Sequence, residues 1–122
     1  MPESSLTIPP RTDHVRIARM VACAAARRLG LHDEEVDEVR LAVGEAVGRA
    51  VQRHTRAASE KPVMMRMVEE PPGLRVEVTD AALDTAEEDS GLAMAVITGL
   101  VPDAYLSPVP GGGQVLSMSW AV

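Results

Sequence analysis

Apolar residues recur every three or four positions from Val15 to Ala50, with one break at Gly30. That spacing lines one side of a 3.6-residue helix, so the stretch must bury two helical stripes against something else in the chain. Val15, Ala18, Val21, Ala22, Ala25 and Leu29 trace the first stripe. Thr12 or Asp13 can cap its start, and Gly30 its end. Arg16, Arg19, Arg27 and Arg28 fall off the stripe, as a wet face or a docking face. After His32-Asp33, the acids Glu34, Glu35, Asp37 and Glu38 crowd the first turns of a second helix, where they favour the helix dipole. Val36, Val39, Val43, Ala46 or Val47, and Ala50 form its buried side, and the pattern runs to about His54. Thr55 to Lys61 is polar and reads as a loop.

Elsewhere the period is two, the mark of strands. Residues 4–9, SSLTIP, predict a short edge strand stopped by Pro9-Pro10. Pro62 to Glu69 alternates around Val63, Met65 and Met67, and Leu74 to Thr79 through Leu74, Val76 and Val78. The PPG at 71–73 turns one into the other. An acidic loop, Asp80 to Ser90, carries Asp84, Glu87, Glu88 and Asp89. Asp89 or Ser90 caps a third helix, Gly91 to about Val101, so apolar that burial is expected. Pro102 stops it. A last hairpin has arms Ala104 to Val109 and Gln114 to Ala121, joined by PGGG at 110–113. The order β-α-α-β-β-α-β-β predicts an α+β fold: a two-layer α/β sandwich with a mixed, mainly antiparallel sheet and three helices on one face. At 122 residues, with no repeat or linker, residues 1–122 suit a single domain.

Composition narrows function. Tyr105 and Trp120 are the only aromatic residues, so few rings exist to stack bases, and the core is aliphatic. Net charge is −6, and apart from the arginines of the first two helices the bases are scattered. That argues against direct nucleic-acid binding and against an anionic membrane surface. One cysteine, Cys23, permits no intrachain disulfide and reads as a buried thiol. His14, His32 and His54 lie far apart at helix ends, as solvated or capping residues; no metal site is expected. No leader and no apolar run of about 18 residues is present, so a soluble, cytoplasmic protein is expected.

Four stretches resemble one family in order and spacing: RLAVGEAVGRAV at 40–51, VEVTD at 76–80, SGLAMAVITGLV at 90–101 and GGGQVLSMSW at 111–120. The chain is similar to the GHKL, histidine kinase-like ATPase domains of Bergerat type, and within them to the small anti-sigma factors that are serine-protein kinases. The resemblance implies a second helix bearing Glu-x-x-x-Asn, in which the glutamate positions the attacking group and the asparagine oxygen holds Mg²⁺. Glu45 matches the first; Arg49 stands in place of the second. A guanidinium has donors only and cannot ligate a hard cation. Arg49 is left to pair with Glu45 one turn away, to be solvated, or to contact a phosphate. The resemblance also implies Asp-x-Gly-x-Gly after the third strand, where the aspartate meets the adenine amino group. Asp80 is kept, but Ala82 and Asp84 replace the glycines. Nine residues, four of them acidic, separate Asp80 from Ser90 where relatives carry a longer lid. Only Gly91 remains at the phosphate-facing helix start, and Gly112 lies in the late glycine run.

The resemblance therefore implies a remnant nucleotide cleft of Glu45, Arg49, Asp80, Ala82, Gly91 and Gly112. The expected protein is an anti-sigma-factor-like regulator of partner switching, with ATP binding and kinase activity weak or lost and no cofactor. It would bind a sigma factor or a STAS-type anti-anti-sigma protein, with Arg16 and Arg19 as contact positions, and could form a homodimer. The alternative is an active ATP-dependent serine-protein kinase, with ATP and Mg²⁺, and Glu45 as catalytic base.

Overall fold

The computed structural model describes residues 2–70, 73–83 and 90–121, without the side chain of Ser90. Strand β1 (Glu3–Ile8) is followed by a 3₁₀ turn (Thr12–His14) and helices α1 (Val15–Arg28) and α2 (Asp33–Arg56). Strands β2 (Val63–Glu70) and β3 (Gly73–Thr79), helix α3 (Ser90–Leu100), and strands β4 (Tyr105–Pro108) and β5 (Gln114–Ala121) complete the order. The five strands form one sheet in the order β1-β2-β3-β5-β4. Every pairing is antiparallel, so the sheet is the mainly antiparallel one expected, without a parallel step among the described residues. β1 is an edge strand, as expected.

One face of the sheet meets the helices. Met65 and Met67, then Leu74, Val76 and Val78, then Leu116, Met118 and Trp120 point into a common core. On α2, Val36, Val39, Val43, Ala46, Val47 and Ala50 are buried against them. Each fully buried Val or Leu contributes about 1.5–3 kcal/mol, so rings are not needed to hold the layers. On α1 the residues with no remaining exposure are Ala18, Ala22 and Ala26, one turn apart. Val15, Val21 and Ala25, also assigned to that stripe, are only half-buried. Small side chains on the contact line let α1 lie close on α2. Cys23 is buried beside them, its Sγ 3.9 Å from the Val36 carbonyl oxygen.

Two helix ends explain the turn between α1 and α2. Gly30 has φ of +86°, the left-handed conformation that closes a helix. His32 is the N-cap of α2, and its N–H donates to Glu35 Oε1 at 3.1 Å, one half of a capping box.

The expectation that α3 is buried fails. Ile97 is fully buried and Val101, just past the helix end, nearly so. Leu92 is 77% exposed and Val96 40% exposed. The helix packs through one stripe, against α2 as its principal neighbour, and among the described residues no second layer covers its outer side. The PPG tip at Pro71 and Pro72, the acids Asp84, Glu87, Glu88 and Asp89, and the cap assigned to Asp89 or Ser90 lie outside the described residues and side chains.

The sheet's other face carries a ladder of charge. Arg66 bridges Glu3 and Glu77, at 2.8 Å each, and Arg75 bridges Glu70 at 2.6 Å and Glu77 at 3.5 Å. Alternating signs across three strands keep that face polar.

Candidate functional site

The last turns of α2 meet the end of β3 and the start of β5, and the residues there are polar and buried. Asp80 directly follows β3, its N–H donating to the Gln114 carbonyl at 2.9 Å. Its Oδ1 accepts the N–H of Ala82 at 3.1 Å, folding the chain into a tight turn. Its Oδ2 accepts Arg53 Nε at 3.0 Å. The same guanidinium reaches the Ala82 carbonyl through Nη2 at 3.3 Å. The Arg53 and Asp80 side chains are 5% and 2% exposed, so this is a buried ion pair.

His54 holds the residue between. Its Nε2 accepts the Ala81 N–H at 3.0 Å, and the ring has no exposure. An imidazole nitrogen that accepts carries no proton, so the ring is neutral with its hydrogen on Nδ1. Burial pushes its pKa below the ordinary value; the Asp80 carboxylate pulls it up, and Arg53 adds to the fall. The solvated or capping role expected of His54 is thus corrected. α2 runs two residues beyond the predicted end, and that turn faces the sheet.

Arg49 departs from expectation as well. It makes no ion pair with Glu45 and is not solvated. It is 6% exposed, and its Nη2 donates to Gln114 Oε1. Its Nε has no partner. Positions 49 and 53 share a helix side with the buried Ala46 and Ala50, so the long side chain turns toward β5 rather than back along the helix. Burial, with the charge of Arg53 beside it, lowers its pKa, while Asp80 opposes. Glu45 is exposed one turn earlier.

The glycine run fits the turn closely. Gly111, Gly112 and Gly113 all have positive φ. A Cβ on Gly113 would lie 2.1 Å from the Asp80 carbonyl oxygen. One on Gly112 would lie 2.1 Å from Leu83 Cδ2, so Leu83 rests on the hairpin. Gly91 is exposed in the first turn of α3.

Arg49, Asp80, Ala82 and Gly112 therefore gather at the β3–β5 junction, with Arg53, His54 and Gln114 among them. None of those three was assigned to the cleft from the sequence. Arg53 follows Arg49 by one helical turn, the one signal that the two share a side. Arg16 and Arg19 lie elsewhere, on an exposed groove between α1 and α2 of about 450 Å³, also lined by Met20, Cys23, Arg27 and Arg40. Arg40 is paired with Asp37 at 2.6 Å, whereas Arg16, Arg19 and Arg27 have no acidic partner among the described residues. Among the described residues there is no cluster that could hold a metal ion and no helix long and apolar enough to cross a membrane.

A family model for the histidine kinase-like ATPase domain matches residues 8–120. No curated protein matches the chain. Among solved structures, the RsbU and RsbW domains of Rv1364c from Mycobacterium tuberculosis share the fold, with a TM-score of 0.77 at 17% identity. The match covers 99% of this chain and 32% of that one, so the chain spans about a third of its structural relative.

Proposed function

This chain belongs to the histidine kinase-like ATPase domain family, and within it we propose a regulator that works by protein contact, its nucleotide chemistry weak or lost. The proposed partner is a sigma factor or a STAS-type anti-anti-sigma protein, as in partner-switching control of transcription. The likeness to a structure that contains an RsbW domain supports this class of partner.

One observation carries the reading: Asp80, the carboxylate that relatives keep for adenine, has both oxygens engaged inside the chain, by Arg53 and by the Ala82 N–H. A purine entering there must displace a buried charge pair. Beside it, Arg49 offers only donors where a metal needs an oxygen. The groove lined by Arg16, Arg19 and Arg27 supports an acidic partner surface: their guanidinium groups have no acidic partner among the described residues and attract carboxylates, and arginine is favoured at interfaces.

Isothermal titration with Mg-ATP tests the reading. No heat at millimolar nucleotide is the expected result; micromolar binding overturns it. In the second arm, a sigma factor and a STAS protein from the same organism are titrated with the wild type and with Arg16→Glu/Arg19→Glu. Binding that the charge reversal abolishes is expected. The kinase reading draws on one observation, the exposed Glu45, and requires phosphate transfer from ATP to a serine of the partner.

A further inference from the structure

We infer that Gly44 is a positioning residue for partner docking: it seats the Arg19 side chain across α2 and holds the guanidinium ready for a partner carboxylate. This deepens the docking reading above and rests on it. A Cβ placed on Gly44 would meet Arg19 first, with Cδ at 3.0 Å, Nη1 at 3.4 Å and Cγ at 3.6 Å. Stem and head of one arginine on α1 therefore lie along the same spot of α2. The missing side chain leaves the hollow in which they rest.

No other contact explains a glycine at that place. Gly44 lies in the interior of the 24-residue α2, and its φ is not positive. Backbone conformation gives no reason for it, and glycine weakens a helix interior relative to alanine. The three atoms nearest to the added Cβ all belong to the Arg19 side chain, so close approach of the α1 backbone is not the reason either. Gly48, one turn on, shows the contrast: a Cβ there meets nothing within 4 Å. No glycine of the chain has Arg16 or Arg27 among its nearest atoms.

The seat matters because of what Arg19 is left to do. The residue is exposed, lines the groove, and has no acidic partner among the described residues. A free arginine gives up rotamer freedom when it grips a carboxylate, and a pre-set planar fork gives up less. Resting the stem in the hollow restricts Arg19 before the partner arrives. Its fork can then take both oxygens of an aspartate or glutamate with little further ordering.

Nuclear magnetic resonance of the whole chain, without a partner, reads the seat directly. The expected result is a cross-relaxation contact between the Arg19 Hδ and Gly44 Hα protons, with the Arg19 Nε–H more ordered than those of Arg16 and Arg27. Gly44→Leu should abolish the contact and release Arg19 to their level. Titration with the sigma factor and the STAS protein reads the consequence. Gly44→Ala is expected to weaken binding about threefold and Gly44→Leu about tenfold, while Gly48→Ala leaves it unchanged. Gly44→Ala and Gly48→Ala should both raise the melting temperature, so the weaker binding of the first is not a folding defect. In an Arg19→Ala background, Gly44→Leu should cost nothing further, which a purely structural role for Gly44 would not produce. An Arg19 as mobile as Arg16 in the wild type overturns the inference, as does a Gly44→Leu loss that persists without Arg19. Binding that Arg16→Glu/Arg19→Glu abolishes but Gly44→Leu leaves intact overturns it alone, with the docking reading standing. Binding by neither protein removes the docking reading, and the role of Gly44 with it, whatever the resonances show.

Discussion

Arg53 Nε lies 3.0 Å from Asp80 Oδ2, and both side chains are buried. A helix near its end thereby grips the turn that follows the middle strand of the sheet. Removing one partner leaves the other charged and without its match. Arg53→Met is expected to destabilise the chain by about 3–5 kcal/mol. Arg53→Met combined with Asp80→Leu should recover much of the loss, because no buried charge is left over. Urea unfolding of the four proteins of this cycle measures the coupling; additive losses would show that the pair does not act as one.

The neutral His54 ring makes stability depend on pH. Its folded pKa lies below its unfolded value, which is about 6.5. Its contribution is fully present above pH 6.5 and is lost as the pH falls through the folded value. Protonation would place a hydrogen on Nε2, facing the Ala81 N–H, so the contact breaks. His54→Gln keeps an acceptor that does not titrate. The difference in urea midpoint between wild type and His54→Gln should be constant above pH 7 and shrink as the pH falls below about 6.5. A constant difference over that range would show that the ring is not the titrating group.

The glycines of the last hairpin should not be equivalent. Gly111 and Gly113 both have positive φ, so alanine at either carries backbone strain of about 1–2 kcal/mol. At Gly113 the new methyl also meets the Asp80 carbonyl, whereas at Gly111 it meets nothing within 4 Å. Gly113→Ala is expected to lower the melting temperature by at least twice as much as Gly111→Ala. Equal losses would mean that the hairpin shifts freely away from β3.

The asparagine that the resemblance implies at position 49 should not by itself confer nucleotide binding. In Arg49→Asn an amide oxygen becomes available, yet Arg53 still occupies Asp80. Titration with Mg-ATP is expected to stay silent for Arg49→Asn. Binding by the single variant would place the whole obstacle at position 49.

Much of this arrangement was legible in the residues. Period 3.6 from Val15 to Ala50 and period two at Val63–Thr79 fixed the layers, because a half-buried element must repeat its apolar side. Two readings failed for a shared reason. Arg49 was expected to pair with Glu45 or be solvated when not contacting a phosphate, and His54 to be solvated or capping. What decides their place is the partner that the fold brings from afar: Gln114 for one and the Ala81 N–H for the other. Pattern along one helix carries no record of such a partner. The burial expected of α3 failed differently. Its hydropathy was read correctly, but hydropathy does not say how many neighbours the fold brings to a helix, and α3 packs mainly on α2.

The charge ladder on the open side of the sheet does something that apolar alternation is unable to do. Sliding β2 along β3 by two residues leaves every core side chain inward, so the hydrophobic pattern does not detect the error. The arginines do. In the native pairing Arg66 faces Glu77. A two-residue slide one way would set Arg66 opposite Arg75, and the other way opposite Thr79, so mispairing is penalised by repulsion or by a lost bridge. Salt bridges too exposed to add much strength thus act as a proofreading mark for how the strands are threaded.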